Sequence, residues 1–439
     1  MLTAPNARKG ASRSGARTLA ARRRRSTGAE LHRGARPKTG GRASTFQASR
    51  SEVKPSQSLR AEAPFISVSL MRPRTSNAGL MFAIGLVSAV VLSCRAARHD
   101  SPKGTVRKCG VCFAHSSEAG GRRGYGSEDA RSSLDELKQL GISHLSVTPF
   151  GYLPALDSSE VRGPGHYPGE ETPARVRAVT HDAHARGQTV MLKPHLWVGG
   201  GAWPGDLAPS SPDAVERFFR TYRDFILSWA TVAAETKAES FLIGVELRAL
   251  TAAHPAKFRA LIADVRRVYS GRLGYGANWD EVLAVEFWDE LDFIGVQLYA
   301  PLRDAAEPLS IEALRAHARA WLSRYTLVAT RTGKPLYLTE IGFTNRVGVT
   351  LDPHVWPEQK SALRTDAGDE EQRLAYEAIL STFGESPLVE RLYIWKWFTD
   401  VNTDEERAGF GFMPRGKPAA ASLARFCGGP LPAIPSAGP

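Results

Sequence analysis

Residues 335–345 read PLYLTEIGFTN, and this stretch decides the fold. Leu336, Tyr337 and Leu338 make a short apolar run of strand-forming residues, Thr339 and Glu340 follow, and Gly342 breaks it. A buried strand that ends in a carboxylate and then turns on a glycine is how a parallel barrel presents reactive groups. Such a barrel builds its site at the C-terminal ends of its strands. Residues 240–247, SFLIGVEL, have the same form, with Glu246 at the end of the apolar run.

Working outward, strand-like and helix-like stretches alternate from Thr105 onward. Strands are expected over Lys108–Ala114, His144–Pro149, Thr189–Pro194, Phe241–Glu246, Leu273–Ala277, Phe293–Leu298, Leu336–Thr339 and Leu392–Trp397. Helices lie between them with readable ends. Ser127 can cap one whose Leu134, Leu137 and Leu140 recur at helical spacing before Gly141 stops it. Thr172-Pro173 opens the next, which Gly187 ends; Ser211-Pro212 and Ser310 open two more. Eight such units predict an α/β fold, a right-handed (β/α)8 TIM barrel over residues 105–430. A doubly wound open sheet is the structural rival, but no glycine-rich phosphate loop follows the first strand in register.

The formal charge of +12 is unevenly placed. Residues 1–100 carry 19 Lys and Arg against 4 Asp and Glu, and the remainder 38 against 41. The near-neutral body is not built to grip a phosphate backbone, so no nucleic-acid partner is expected for it. Residues 1–70 are rich in Arg, Ala, Ser and Gly without a sustained apolar period, and read as a disordered segment. That segment is either a nucleic-acid-binding arm or untranslated sequence ahead of the true start. The second is preferred because an export signal begins at Met71. In residues 71–94, Arg72 and Arg74 precede an apolar centre, Met81–Leu92, that is short for a membrane span. Val91-Leu92-Ser93-Cys94 then resembles a bacterial lipobox, with Cys94 as the lipidation site and residues 95–104 as a tether. A lipoprotein signal, an ordinary secretory signal and an N-terminal membrane anchor are the readings in order of weight. All place the body outside the cytoplasm, at the membrane or secreted. Four cysteines are too few for a disulfide scaffold, and Cys109 and Cys112 read as core residues on opposite strand faces.

Glu246 and Glu340, on the fourth and seventh strands, have the make-up of a carboxyl pair for glycosidic-bond cleavage. One carboxyl protonates the leaving oxygen, and the other attacks the anomeric carbon; their environments must split their pKa values. A lone strand-end Glu can equally pair with a neighbouring Lys or Arg. Lys193, His195 and Trp197 end the third strand, with Lys193 and His195 on one face. Lys193 can bind sugar hydroxyls or pair with an acid. His195 reads as a hydrogen-bonding wall residue rather than a metal ligand, since no second His or Cys sits at ligand spacing. Asn278 and Trp279 end the fifth strand, and Gln297 and Tyr299 the sixth, where Tyr299 can donate a hydrogen bond to Glu340 or serve as core. Of Trp395 and Trp397, the second is closer to the strand end and is favoured for the site. Trp197 and Trp203 fall in a Gly- and Pro-rich loop, as a sugar platform or as loop packing. The glycines of residues 117–127 read as a flexible rim, and the loop 347–369 with Trp356 as a border of the cleft.

From Lys108 to Trp397 the chain resembles glycoside hydrolase family 113, a clan A (β/α)8-barrel family of β-1,4-mannanases. The resemblance lies in GVCFAH (110–115), GISHLSVTPFGY (141–152), LKPHLW (192–197), IGVEL (243–247), GANW (276–279), VQLYAP (296–301), LTEIGF (338–343) and IWKWF (394–398). These segments occur in order at successive strand ends. The resemblance implies a retaining glycosidase acting on mannan or manno-oligosaccharides, with Glu246 as acid/base and Glu340 as nucleophile. Much of the clan has Asn before the acid/base to bind the sugar 2-hydroxyl; Val245 stands there here, which keeps a β-glucanase or β-galactanase open. A glycan-binding lipoprotein that does not cut is the rival from another class. The chemistry requires no metal and no cofactor, and a monomer is expected.

Overall fold

The computed structural model describes residues 108–116, 123–165, 169–355, 364–400 and 409–431. The basic segment, the export signal, Cys94, the tether, Gly120, Gly121 and Trp356 lie outside these residues.

The strands are β1 (Cys109–Ala114), β2 (His144–Val147), β3 (Phe150–Leu153), β4 (Thr189–Leu192), β5 (His195–Val198), β6 (Ser240–Val245), β7 (Arg272–Asn278), β8 (Phe293–Leu298), β9 (Leu336–Ile341) and β10 (Val389–Phe398). Eight of them pair in parallel and close into a barrel, in the order β1–β10–β9–β8–β7–β6–β4–β2. Each was expected within a few residues of its place. β3 and β5 were not. They form a separate two-stranded parallel sheet, pairing Phe150 with His195 and Tyr152 with Trp197. The local cause is proline. Pro149 and Pro194 follow β2 and β4, and neither has an N–H to give the ladder. Lys193 N–H still reaches Val147 O at 2.8 Å and His195 N–H reaches Pro149 O at 3.0 Å. The chain therefore continues upward as a second sheet instead of leaving as a loop.

The helices are α1 (Glu128–Gln139), α2 (Pro173–His184), α3 (Pro212–Thr236), α4 (Arg248–Ala253), α5 (Pro255–Val268), α6 (Ile311–Thr332), α7 (Asp366–Phe383) and α8 (Pro418–Cys427). The predicted caps form. The side chains of Ser127, Thr172, Ser211 and Ser310 accept from the N–H groups of Ala130, Arg175, Ala214 and Ala313, meeting donors the helices leave unpaired. α3 buries Phe218, Tyr222, Ile226 and Trp229 along one stripe. Burying each such side chain stabilises the fold by about 2–3 kcal/mol.

The barrel wall packs outward on these helices in one large core. A smaller cluster of Cys112, Met191, Leu242, Val245, Phe293, Tyr337 and Tyr393 comes from six different strands and fills the barrel interior. Gly274 is needed there, since a Cβ would lie 2.2 Å from the Phe293 ring, which stacks on Tyr337 at 4.0 Å. Cys109 departs from its expected role as a free core thiol. It is bonded to Cys427, so the first strand is stapled to α8. Cys112 remains a buried free thiol.

Candidate active site

The two glutamates come to the same end of the barrel in contrasting settings. Glu340 is almost fully buried on β9. Its carboxylate pairs with the ammonium of Lys193, and its Oε2 accepts from the Tyr299 hydroxyl at 2.6 Å. Lys193 is wholly buried, with Nζ 3.5 Å from Cys112 Sγ and 4.9 Å from the centre of the Trp395 ring. The structure therefore gives Lys193 to an acid rather than to the open cleft. Burial pulls Lys193 down, but its neighbours Cys112 and Glu340 more than offset this and hold it above its ordinary value. Cys112 is pushed up to about 12 by burial, so it stays a thiol and Glu340 is the anion that matters. Burial would likewise raise Glu340. Lys193, then His195, then the hydrogen bonds from Lys193 and Tyr299 outweigh it, and the carboxyl sits below the usual range.

Glu246 follows β6 and, among the described residues, forms no ion pair with a cation. Its Oε2 accepts from the Trp203 indole N–H at 3.0 Å. Burial first, and then the charge of Glu340, push it up to about 8, against the Trp203 hydrogen bond and Lys193. Its backbone is left-handed, at φ 51°, which few non-glycine residues adopt. The surroundings hold it there. Glu246 N–H donates to Gly276 O at 2.8 Å, and Leu247 N–H donates to the Tyr275 hydroxyl at 2.6 Å. Tyr275 in turn donates to Glu281 at 2.9 Å, which also accepts from Thr251 at 2.7 Å and from Asn278 N–H at 3.0 Å. Strain supported on this scale marks a place where geometry has been fixed for use.

Trp203 precedes a short turn, Pro204–Asp206, and the Arg248 guanidinium lies 4.6 Å from its ring centre. Arg248 is anchored by Asp206 and Asp280, each at 3.3 Å. The sequence offered Trp203 as a sugar platform or as loop packing; no local signal joins it to a residue 43 positions away.

The remaining expected residues divide. His195 lies beside Glu340 and Lys193; burial first pushes it down to about 4, so it is neutral at pH 7. Its Nδ1 donates to Leu196 O at 3.0 Å, leaving Nε2 as an acceptor. Trp197 is half-buried on β5, not in a loop. Asn278 is turned to Asp280, its amide donating at 2.7 Å. Trp279 packs on Trp321 and His354, with ring centres 5.1 and 6.4 Å away. Gln297 is fully buried; its carbonyl accepts from Thr339 at 2.6 Å, and its amide nitrogen has no partner among the described residues. Trp397 is corrected. It is buried in the outer core with Arg415 4.6 Å from its ring centre, whereas half-buried Trp395 packs against the inner cluster under Lys193. Bulges where β10 pairs with β1 and β9 change which side chains face inward. Among the described residues, Asp304, Glu307 and His317 have ligand atoms within 4.8 Å of one another. They share no residue with the carboxyl pair, and His317 is already spent on Glu307 at 2.8 Å.

A closed parallel barrel with this equipment at its strand ends belongs to the (β/α)8 glycoside hydrolases. The profile of Glycoside Hydrolase Family 113 matches residues 111–417, and the chain belongs to that family. Among solved structures, the GH113 β-mannanase AaManA from Alicyclobacillus acidocaldarius is 24% identical with a TM-score of 0.63, over 73% of this chain and 96% of that one. A second GH113 β-1,4-mannanase is 22% identical with a TM-score of 0.64, over 73% and 99%. At such identities the likeness establishes the fold. No curated protein matches the chain.

Proposed function

We propose that the protein is a retaining glycosidase that cleaves β-1,4-linked mannan or manno-oligosaccharides. Glu340 is the nucleophile and Glu246 the acid/base. The observation that carries this reading is the unequal pairing of two like groups: Glu340 holds a buried cation and a phenol, and Glu246 only an indole N–H. In the first step Glu340 attacks the anomeric carbon, while Glu246 gives its proton to the departing glycosidic oxygen. In the second, Glu246 takes a proton from water, whose oxygen attacks the same carbon and releases Glu340. The first step needs Glu340 ionised and Glu246 protonated, as their surroundings favour; the second starts with Glu246 as the carboxylate left by that proton transfer. The mannan-type substrate follows the family and its solved β-mannanases.

Val245 supports a second specificity, a β-glucanase or β-galactanase. It is buried in the inner cluster and offers the sugar no polar contact. The test is to give the purified protein β-1,4-manno-oligosaccharides, with β-gluco- and β-galacto-oligosaccharides in parallel, and follow the anomer first formed. Retention of configuration, lost in Glu340→Ala and in Glu246→Ala and restored to the latter by azide, is expected. An inverted first product refutes the roles assigned; cleavage confined to another sugar refutes the specificity.

Export, with a lipid at Cys94, is part of the same proposal. The Cys109–Cys427 disulfide supports it, because such bonds persist in oxidising compartments. Fatty-acid labelling that survives in Cys94→Ser would exclude that anchor.

A further inference from the structure

The sheet of β3 and β5 has two unlike faces. Gly151, Leu153, Leu196 and Val198 are buried, and Phe150, Tyr152, His195 and Trp197 are half-buried. Strand alternation and the parallel register put the second set on one face, Phe150 beside His195 and Tyr152 beside Trp197. The first set looks outward. A Cβ on Gly151 would lie 2.9 Å from Val161 and 3.0 Å from the Phe225 ring of α3. The aromatic face therefore looks toward the barrel axis, and His195 on it feels the charges of Glu340 and Lys193.

From this geometry we infer that Phe150, Tyr152, His195 and Trp197 form a stacking shelf for the sugar chain leading away from the cleavage point. The inference rests on the glycosidase reading above. His195 sits nearest the reacting carboxyls. Tyr152 and Trp197 lie two residues further along, about 7 Å away, beyond the reach of a single sugar ring. The rings form a fixed surface: Phe150 lies 5.6 Å from His195 and 6.3 Å, edge-on, from Trp197. Tyr152 lies near the buried Glu171 carboxyl. Aromatic rings with polar tips suit a pyranose, whose C–H face is apolar and whose rim carries hydroxyls. His195 Nε2 is placed to accept from one of those hydroxyls. Such a shelf holds sugars that do not react, so it favours long chains over short ones.

The experiment is the ratio of kcat/KM for mannohexaose over mannotriose, in the full chain and in Tyr152→Ala with Trp197→Ala. The ratio is expected to fall about tenfold, the loss of two modest ring contacts. Tyr152→Phe, which keeps the ring, is expected to retain most of the ratio. Should the double variant fail to fold, Trp197→Ala alone gives the same readout. A ratio unmoved while both substrates slow together would mean that the sheet is merely structural, and would overturn the inference. If the wild type cleaves only a different β-glycan, the mannan reading fails, and the length ratio in that glycan still decides the shelf.

Discussion

Glu340 and Glu246 are the same residue at the ends of two parallel strands, yet their surroundings differ in almost every respect. Glu340 lies within β9, beside a buried ammonium and a phenol. Glu246 stands on a left-handed turn, hydrogen-bonded by one indole N–H and pushed up by burial and by the like charge of Glu340. The difference teaches that side-chain chemistry is shared and role is set by partners. One carboxyl is kept as an anion and the other as an acid.

The largest disturbance to this contrast is Lys193→Met. It leaves a buried carboxylate without its cation, so Glu340 should rise and be partly protonated at neutral pH. We expect kcat/KM to fall by about 10²-fold or more, with the acid limb of its pH profile moving upward. An unmoved acid limb would mean that Lys193 does not tune Glu340. Trp203→Phe works on the other side. In the wild type the alkaline limb should follow Glu246, near pH 8. Losing a donor to the ionised form raises the acid further, so that limb should shift to higher pH. Cleavage of natural oligosaccharides should fall about tenfold, and that of aryl glycosides with good leaving groups much less, since they need little proton donation. Equal losses on both substrates would reduce Trp203 to packing. The smallest effect on catalysis is expected from Cys427→Ser, which touches neither carboxyl. It should cost about 2–4 kcal/mol of stability, read in chemical denaturation. An unchanged denaturation midpoint would contradict the staple.

Much of this contrast is written in single stretches of chain. LTEIG and IGVEL carry their carboxylates at the ends of apolar runs, and the caps at Ser127, Thr172, Ser211 and Ser310 are local chemistry. What escaped was set by distance or by register. Trp203 meets Glu246 through tertiary packing, and Cys109 meets Cys427 across a separation of 318 residues. Trp395 and Trp397 are distinguished by bulges, which a two-residue period cannot foresee. Pro149 and Pro194 were read as strand ends, and are better understood as joints between two stacked sheets.

The Cys109–Cys427 bond also orders events in the life of the molecule. One partner is in the first barrel strand and the other in the last described helix. The lock therefore cannot close until the chain through Cys427 has emerged and the barrel has come full circle. A prematurely terminated chain that lacks Cys427 never acquires it. The cross-link thus marks a barrel that has closed on itself, with its first strand fastened to α8.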